Sequence, residues 1–138
     1  MLAGYSGTPL PKKLGIKEGH RVAIVRGPRG FKTGLELPES VRVDTRPTGK
    51  LTYDVVVAFA ADLAALDGLI DRLKPSLTWA GGLWTCWPKR SSPLVSDIIE
   101  ADVRASGLAT GLVDNKICAI DSDWSGLRFV HRKENRPK

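Results

Sequence analysis

The run YDVVVAFA, residues 53–60, constrains the fold of this 138-residue chain more than any other segment. It is continuously apolar after Asp54, and a strand without alternating polar residues is typical of a parallel sheet that is covered on both faces. Further strands are predicted at 21–25, 41–45 and 81–87. Because helical patterns separate most of these strands, the sequence predicts an α/β fold with right-handed crossovers.

Three helical patterns precede the last third of the chain. Thr8 and Pro9 suit the N-cap and first residue of a short opening helix. A brief helix is expected at 30–37, although Gly34 weakens it. The clearest helix covers 62–77, and its apolar residues recur at three- and four-residue steps. These residues, which are expected to share one face, are Leu63, Leu66, Ile70, Leu73 and Leu77.

The last long helix is predicted over 91–107, with Ser92 as its N-cap, Pro93 at its first position and Gly107 past its end. Its inward-facing apolar residues are expected to be Val95, Ile98, Ile99 and Val103.

Two final strands, at 111–120 and 127–131, are separated by a turn that is too short for a helix. They are therefore predicted to form an antiparallel hairpin. The fold class is α/β: a three-layer Rossmann-like, mostly parallel sheet that ends in this hairpin. Residues 1–131 are predicted to form a single domain, and residues 132–138 a basic, disordered tail.

The charge balance favours anionic partners, because 21 Lys and Arg against 15 Asp and Glu give a net charge of +6. A small anionic ligand or a protein partner is expected. Nucleic acid is not favoured, since neither exposed aromatic residues nor a recognition helix accompanies the basic residues. No apolar run or leader suggests a membrane, so a cytoplasmic location is expected. Cys86 and Cys118 suit buried thiols, and no metal-binding spacing occurs.

The layout of the chain is similar to the S-adenosylmethionine-dependent methyltransferase fold. The segment LGIKEGHRVAIV resembles that superfamily's lead-in to its first strand, and DRLKPSLTWAGGLW resembles its helix, Gly-Gly turn and fifth strand. Two departures stand out. Residues 25–30, VRGPRG, replace an acidic residue and a G-x-G loop, and only one short loop separates Thr45 from Tyr53, where a strand–helix unit is missing.

A closer resemblance is to a family of short bacterial proteins, common in actinobacteria, that is known only as a domain of unknown function. It rests on GYSGTPLPKKLGIKEGHRV, GGLWTCWPKR and GLVDNKICAIDSDWSGLRFV, in that order. The resemblance implies a bacterial source and a truncated methyltransferase-like fold, and it implies no activity.

Ligands bind outside the carboxyl ends of the strands in such a sheet. After the first strand these ends offer Arg26, Gly27 and Arg29, whose guanidinium groups suit a compact anion. Pro28 removes a backbone N–H, so the turn is unfavourable for an adenosyl group. No cofactor is therefore predicted, with S-adenosylmethionine or a nucleotide as the alternative. Asp44 stands near the spacing of a ribose-binding carboxylate, and an ordinary exposed strand-end aspartate is the simpler interpretation.

A second candidate group follows the fourth strand, where Trp87, Lys89 and Arg90 precede a predicted helix. Asp114 and Lys116 are expected to share one face of a strand and to pair with each other or with Arg128. Alternatively, they line a pocket together with Trp87, Lys89 and Tyr5 of the hydroxyl-rich leading segment. The turn after the first strand has a simpler interpretation as well, in which it is only a tight connection whose arginines are exposed.

Three functions are consistent with these residues. The first is a non-catalytic Rossmann-like module that binds a small anionic ligand or a protein partner and acts in regulation. The second is a small enzyme related to methyltransferases with an altered cofactor loop. The third, which is less favoured, is a nucleic-acid binder. No catalytic motif surrounds His20 or His131, so an enzyme is not the first choice. An open cleft near Gly27, Asp44 and Trp87 would favour the enzyme.

Overall fold

A computed structural model describes residues 8–137. Six strands form one sheet in the order β2-β1-β3-β4-β6-β5. The strands are β1 (Arg21–Val25), β2 (Arg42–Asp44), β3 (Tyr53–Phe59), β4 (Leu77–Pro88), β5 (Leu112–Ala119) and β6 (Trp124–His131). Strands β1 to β4 are parallel, and β6 runs antiparallel to both β4 and β5. The predicted α/β class, with a parallel sheet ending in an antiparallel hairpin, is confirmed.

Helices and turns cover both faces of this sheet. On one side, called the α4 face, lie α2 (Leu63–Leu66), α3 (Leu69–Leu73) and α4 (Glu100–Leu108). On the other side, called the α1 face, lie α1 (Leu10–Leu14) and the turns of residues 27–37. The central strand β3 is buried on both sides, which explains its uninterrupted apolar sequence.

Alternation along β4 divides its side chains between the two faces. Leu83 and Trp87 enter the core of the α4 face, and Trp84 and Cys86 enter that of the α1 face. The Trp84 indole N–H donates a 3.0 Å hydrogen bond to the carbonyl of Leu14. This bond fixes the end of α1 against the centre of the sheet.

The brief helix expected at 30–37 does not form, and turns replace it. The amide of Phe31 bonds the carbonyl of Pro28 at 3.0 Å, and the amide of Gly34 bonds that of Gly30 at 2.9 Å. Pro28 and the glycines that punctuate this segment oppose helix formation. The Phe31 ring, packed 4.8 Å from the ring of Phe59, holds the turns on the sheet.

The single helix predicted over 62–77 is two short helices instead. Gly68 has a φ of 69°, a left-handed conformation that separates α2 from α3. The Asp62 carboxylate caps α2 by accepting a 2.8 Å bond from the amide of Ala65. A 3-10 turn, Lys74–Ser76, leads into β4. Leu63 is half-exposed, whereas the other four residues of the predicted apolar face are buried.

The last helix begins at Glu100 and not near Ser92. The Asp97 carboxylate accepts a 2.8 Å bond from the amide of Leu63, which holds residues 91–99 in a non-helical path along α2. Asp102 then caps α4 through a 3.0 Å bond from the amide of Ile99. Ile98 and Val103 are buried as predicted. Val95, at 97% exposure, and Ile99, at 48%, are not.

After β6 the chain turns back, so that Arg136 contacts the end of that strand. Lys133–Asn135 form one 3-10 turn, and the Arg136 guanidinium donates two bonds, of 3.1 and 2.9 Å, to the carbonyl of His131. The boundary after residue 131 stays a prediction. No helix within residues 8–137 is long and apolar enough to cross a membrane.

Gly107 lies inside α4, where it allows the helix to approach the sheet closely. A Cβ atom there would stand 2.0 Å from Cε1 of Phe129 on β6. We expect Gly107→Ala to destabilise the protein by about 1–3 kcal/mol, because the helix or the ring must move. Ser106→Ala in the same helix is the control and should change stability by less than about 0.5 kcal/mol. Urea unfolding measures both, and equal stabilities would contradict this packing.

Candidate functional site

The parallel strands bring their carboxyl ends to one side of the sheet, called here the carboxyl edge. Two of the cavities that the described residues line open along it. The first, called the turn cavity, has a volume of about 290 Å³ and lies where β1 and β2 end. The second, called the strand-end cavity, has a volume of about 560 Å³ and lies where β4 ends. Sites at this edge are typical of parallel α/β sheets.

The turn cavity contains two of the predicted site residues, Arg26 and Gly27. Arg26 has a φ of 58°, a conformation that costs a side-chain-bearing residue about 1–2 kcal/mol. Its guanidinium donates a 3.4 Å bond to the carbonyl of Ala65 in α2. A Cβ at position 27 would stand 2.9 Å from Cγ2 of Ile24, so Gly27 keeps the turn close to the end of β1.

Three polar side chains in the lining of the turn cavity are absent from the predicted site residues. Lys32 adds a second cation, and Thr33 and Thr45 add hydroxyl groups. Thr45 directly follows β2, so its place at a strand end was a usable signal. Lys32 and Thr33 belong to the segment that was expected to be helical. Arg29 is exposed and does not line either cavity.

Asp44 is committed to contacts inside the fold. Its Oδ2 accepts a 2.6 Å bond from the Tyr53 hydroxyl and bonds of 3.0 and 3.3 Å from the Arg21 guanidinium. The Tyr53 bond, followed by that of Arg21, lowers the pKa of the Asp44 carboxyl below its usual range. Asp44 does not line the turn cavity. The ribose-binding role of Asp44 stays a prediction, and its Oδ2 already accepts bonds from Tyr53 and Arg21.

Aromatic rings fill the end of β3 on the α1 face. The ring of Phe59 lies 4.8 Å from that of Phe31 and 5.1 Å from that of Trp124, in edge-to-face arrangements. This cluster closes the centre of the carboxyl edge on that side. The three rings lie outside the linings of the turn cavity and the strand-end cavity.

The strand-end cavity brings together Trp87, Lys89 and Arg90, as the sequence predicts. The amide of Lys89 donates a 2.8 Å bond to the carbonyl of Asp123, which ties the exit of β4 to the turn before β6. The lining that the sequence did not indicate includes Ile98 from the segment before α4 and Ser125 from β6.

Asp114 and Lys116 do not share a strand face, because a β-bulge lies between them. The Asp114 carboxylate pairs with Arg104 of α4 at 3.1 Å, rather than with Lys116 or Arg128. The Lys116 ammonium donates a 3.4 Å bond to the carbonyl of Lys13 on the other side. Neither residue lines the cavities of the carboxyl edge. Tyr5 lies outside the described residues.

Both histidines stand at the opposite edge of the sheet. His20 directly precedes β1, and His131 ends β6 beside the start of β4, with Nε2 3.4 Å from the carbonyl of Leu77. Burial lowers the pKa of His131. Within residues 8–137, no group of three or more His, Cys, Asp or Glu side chains could hold a metal ion.

Solved structures with the same fold include S-adenosylmethionine-dependent methyltransferases. One from Aquifex aeolicus is 14% identical with a TM-score of 0.57, over 87% of this chain and 86% of that chain. A TehB-like enzyme from Corynebacterium glutamicum is 10% identical with a TM-score of 0.57, over 94% and 91%. Geranyl diphosphate C-methyltransferase from Streptomyces coelicolor, solved with S-adenosyl-L-homocysteine, is 10% identical with a TM-score of 0.60, over 89% and 77%. The methyltransferase-like fold is confirmed.

No protein-family model matches the sequence, and no curated protein sequence matches it. Membership of the short bacterial family therefore stays a prediction. The prediction that the chain uses no cofactor is wrong, because it inferred the absence of a cofactor from the turn after β1 alone. The structural matches are named as S-adenosylmethionine-dependent enzymes, and one of them was solved with S-adenosyl-L-homocysteine.

The left-handed conformation of Arg26 leads to a prediction about the free energy of unfolding. We expect Arg26→Gly to raise the free energy of unfolding by up to about 1 kcal/mol, because relief of strain exceeds the added entropy of the unfolded chain. Arg29→Gly, at a residue without positive φ, should lower that free energy by about 0.5–1 kcal/mol. Chemical denaturation of the two variants measures the difference. Equal losses in both would show that Arg26 is not strained.

The contacts of Asp44 make a pH prediction. Because the folded-state pKa of Asp44 is lowered, its contribution to stability is present above the ordinary aspartate range and is lost as pH falls through the folded-state value. Tyr53→Phe removes the 2.6 Å bond, so the pKa of Asp44 should rise and acid unfolding should begin at higher pH. Carboxyl-carbon NMR titration measures the pKa directly. An unchanged value would contradict the dominant role of Tyr53.

Proposed function

We propose that this chain is a small enzyme related to methyltransferases, which binds an S-adenosyl ligand in the turn cavity. The observation that carries the proposal is an open cavity at the ends of β1 and β2, in a sheet whose solved structural neighbours are S-adenosylmethionine-dependent methyltransferases. The enzyme hypothesis expects an open cleft near Gly27, Asp44 and Trp87; the turn cavity lies beside Gly27 and the strand-end cavity beside Trp87, whereas Asp44 lines neither. The non-catalytic hypothesis tolerates a cleft that side chains have closed.

The lining of the turn cavity fits the amino-acid end of such a ligand. Arg26 and Lys32 would bind its carboxylate, since a guanidinium fork and an ammonium group both suit that anion. Lys32 has no hydrogen bond or ion pair to another residue of 8–137, so its charge is available. Gly27 and Gly30 leave backbone close to the cavity, where the ligand can approach.

The ribose end would be held by hydroxyl groups and not mainly by a carboxylate. Thr33 and Thr45 can each donate and accept a hydrogen bond. Asp44 has Oδ2 occupied by Tyr53 and Arg21, which leaves Oδ1 as its only remaining oxygen. When bound, S-adenosylmethionine supplies a methyl group on a positively charged sulfur. The chain's own residues, Arg26, Lys32 and the two threonines, bind and orient the ligand.

A second candidate function is an anion-binding regulatory module, which is supported by the same two cations, Arg26 and Lys32. No α-helix lies between β1 and β2, so the turn after β1 lacks the helix N-terminus that normally assists phosphate binding. The two candidates differ in the ligand they need. The enzyme requires recognition of an adenosyl group, whereas the module requires only a compact anion.

Calorimetry with S-adenosyl-L-homocysteine and with inorganic phosphate separates the two. We expect the adenosyl compound to bind and phosphate to bind far more weakly. Arg26→Gln should weaken binding of S-adenosyl-L-homocysteine about tenfold or more, because a charged hydrogen bond contributes roughly 1.5–3 kcal/mol. Glutamine keeps a Cβ at this left-handed position, so the backbone strain is matched.

Arg29→Gln is the control, since Arg29 is an exposed arginine three residues away that lines neither cavity. It should bind S-adenosyl-L-homocysteine as the wild type does. Binding of phosphate alone, or equal losses in both variants, would favour the regulatory module and overturn the enzyme assignment.

A further inference from the structure

Trp87 borders the strand-end cavity, where its indole N–H is open to a hydrogen-bond acceptor. Trp87 is only 6% exposed, yet its indole N–H has no hydrogen-bond partner within residues 8–137. Trp84, three residues earlier, donates its indole N–H to the carbonyl of Leu14. A buried tryptophan usually finds an acceptor for this group. The side chain of Trp87 borders the cavity, so an acceptor can reach it there.

An unpaired positive charge lies in the same lining. The Arg90 guanidinium makes no hydrogen bond or ion pair with the described residues. The carboxylate of Glu100, which also lines the cavity, is held by Arg104 at 2.8 Å. The negative charge of the lining is therefore already neutralised, whereas the positive charge of Arg90 is not.

Apart from Lys89, the rest of the lining is apolar or carries only hydroxyl groups. Pro88 and Ile98 offer apolar surface beside the Trp87 ring, and Ser91 and Ser125 offer hydroxyls. The volume of about 560 Å³ lies within the range of small-molecule sites. A ligand that matches this lining has an apolar body and one anionic group that accepts hydrogen bonds.

We propose that the strand-end cavity binds the second substrate of this enzyme, a small apolar molecule with a single carboxylate or phosphate group. Arg90 binds the anionic group, the Trp87 N–H donates to it, and the apolar body packs on Pro88 and Ile98. The identification of this molecule as a substrate rests on the proposed function, whereas its binding does not. A volume of about 560 Å³ suits a small molecule rather than an extended peptide or a nucleic acid.

The test uses three probes on the full chain: 2-naphthoate, 2-naphthyl phosphate and the neutral 2-naphthamide. Calorimetry should show binding of one or both anions and binding of the amide at least tenfold weaker, since the ring is the same and the charge is absent. The stronger of the two anions identifies carboxylate or phosphate as the recognised group. Equal binding of all three probes, or of none, would overturn the proposal.

Two variants assign the contacts. Arg90→Gln should weaken binding of the anion about tenfold or more and remove its advantage over the amide. Trp87→Phe keeps a ring and removes the N–H, so binding should weaken about two- to tenfold. Thermal unfolding confirms that both variants fold. Arg29→Gln is again the matched control and should bind like the wild type. Unchanged binding in Arg90→Gln would overturn the assignment.

The same variants are titrated with S-adenosyl-L-homocysteine, which Arg90→Gln should bind normally. If this ligand binds and the naphthyl anions do not, the inference fails and the proposed function stands. If the anions bind through Arg90 and the adenosyl compound does not, the anion site stands and the methyltransferase assignment fails.

Discussion

Strand β3 lies in the centre of the sheet, and burial on both of its faces is the constraint that organises the molecule. Its backbone groups are paired by β1 on one side and β4 on the other. Its side chains alternate between two cores, with Val56 towards the α4 face and Val57 towards the α1 face. Both faces must therefore be covered, and the three layers follow. A polar substitution in this strand would lack partners on either side.

That constraint also determines where ligands can reach the protein. The faces of the sheet are occupied, so access is left at the carboxyl ends of the strands, where the connecting turns meet. Phe59 ends β3 with its ring held between two other aromatic rings, and the two cavities open at the ends of the neighbouring strands β1 and β4. Arg26 accepts a strained conformation at this edge, a pattern that is common where a turn serves a binding site.

Strands were more predictable from the sequence than helices, for a physical reason. A strand such as β1 is defined by a run of residues buried on neighbouring strands, and that run is visible in the sequence. The predicted helices were too long because apolar periodicity does not show where a glycine or a side-chain hydrogen bond interrupts a helix. Gly68 interrupts one apolar pattern in a left-handed conformation. Asp97 replaces the first turns of another by bonding to the amide of Leu63.

The sequence by itself determined the parallel sheet, its closing hairpin and the grouping of Trp87 with Arg90, because these depend on residues close together in the chain. Only the tertiary structure decided which side chains remain available. Asp44 looks free at a strand end, yet Tyr53 and Arg21 occupy it. The bulge after Asp114 reverses the face of Lys116. These hydrogen bonds and strand pairings involve residues that are distant in sequence, so the spacing of residues along the chain does not predict them.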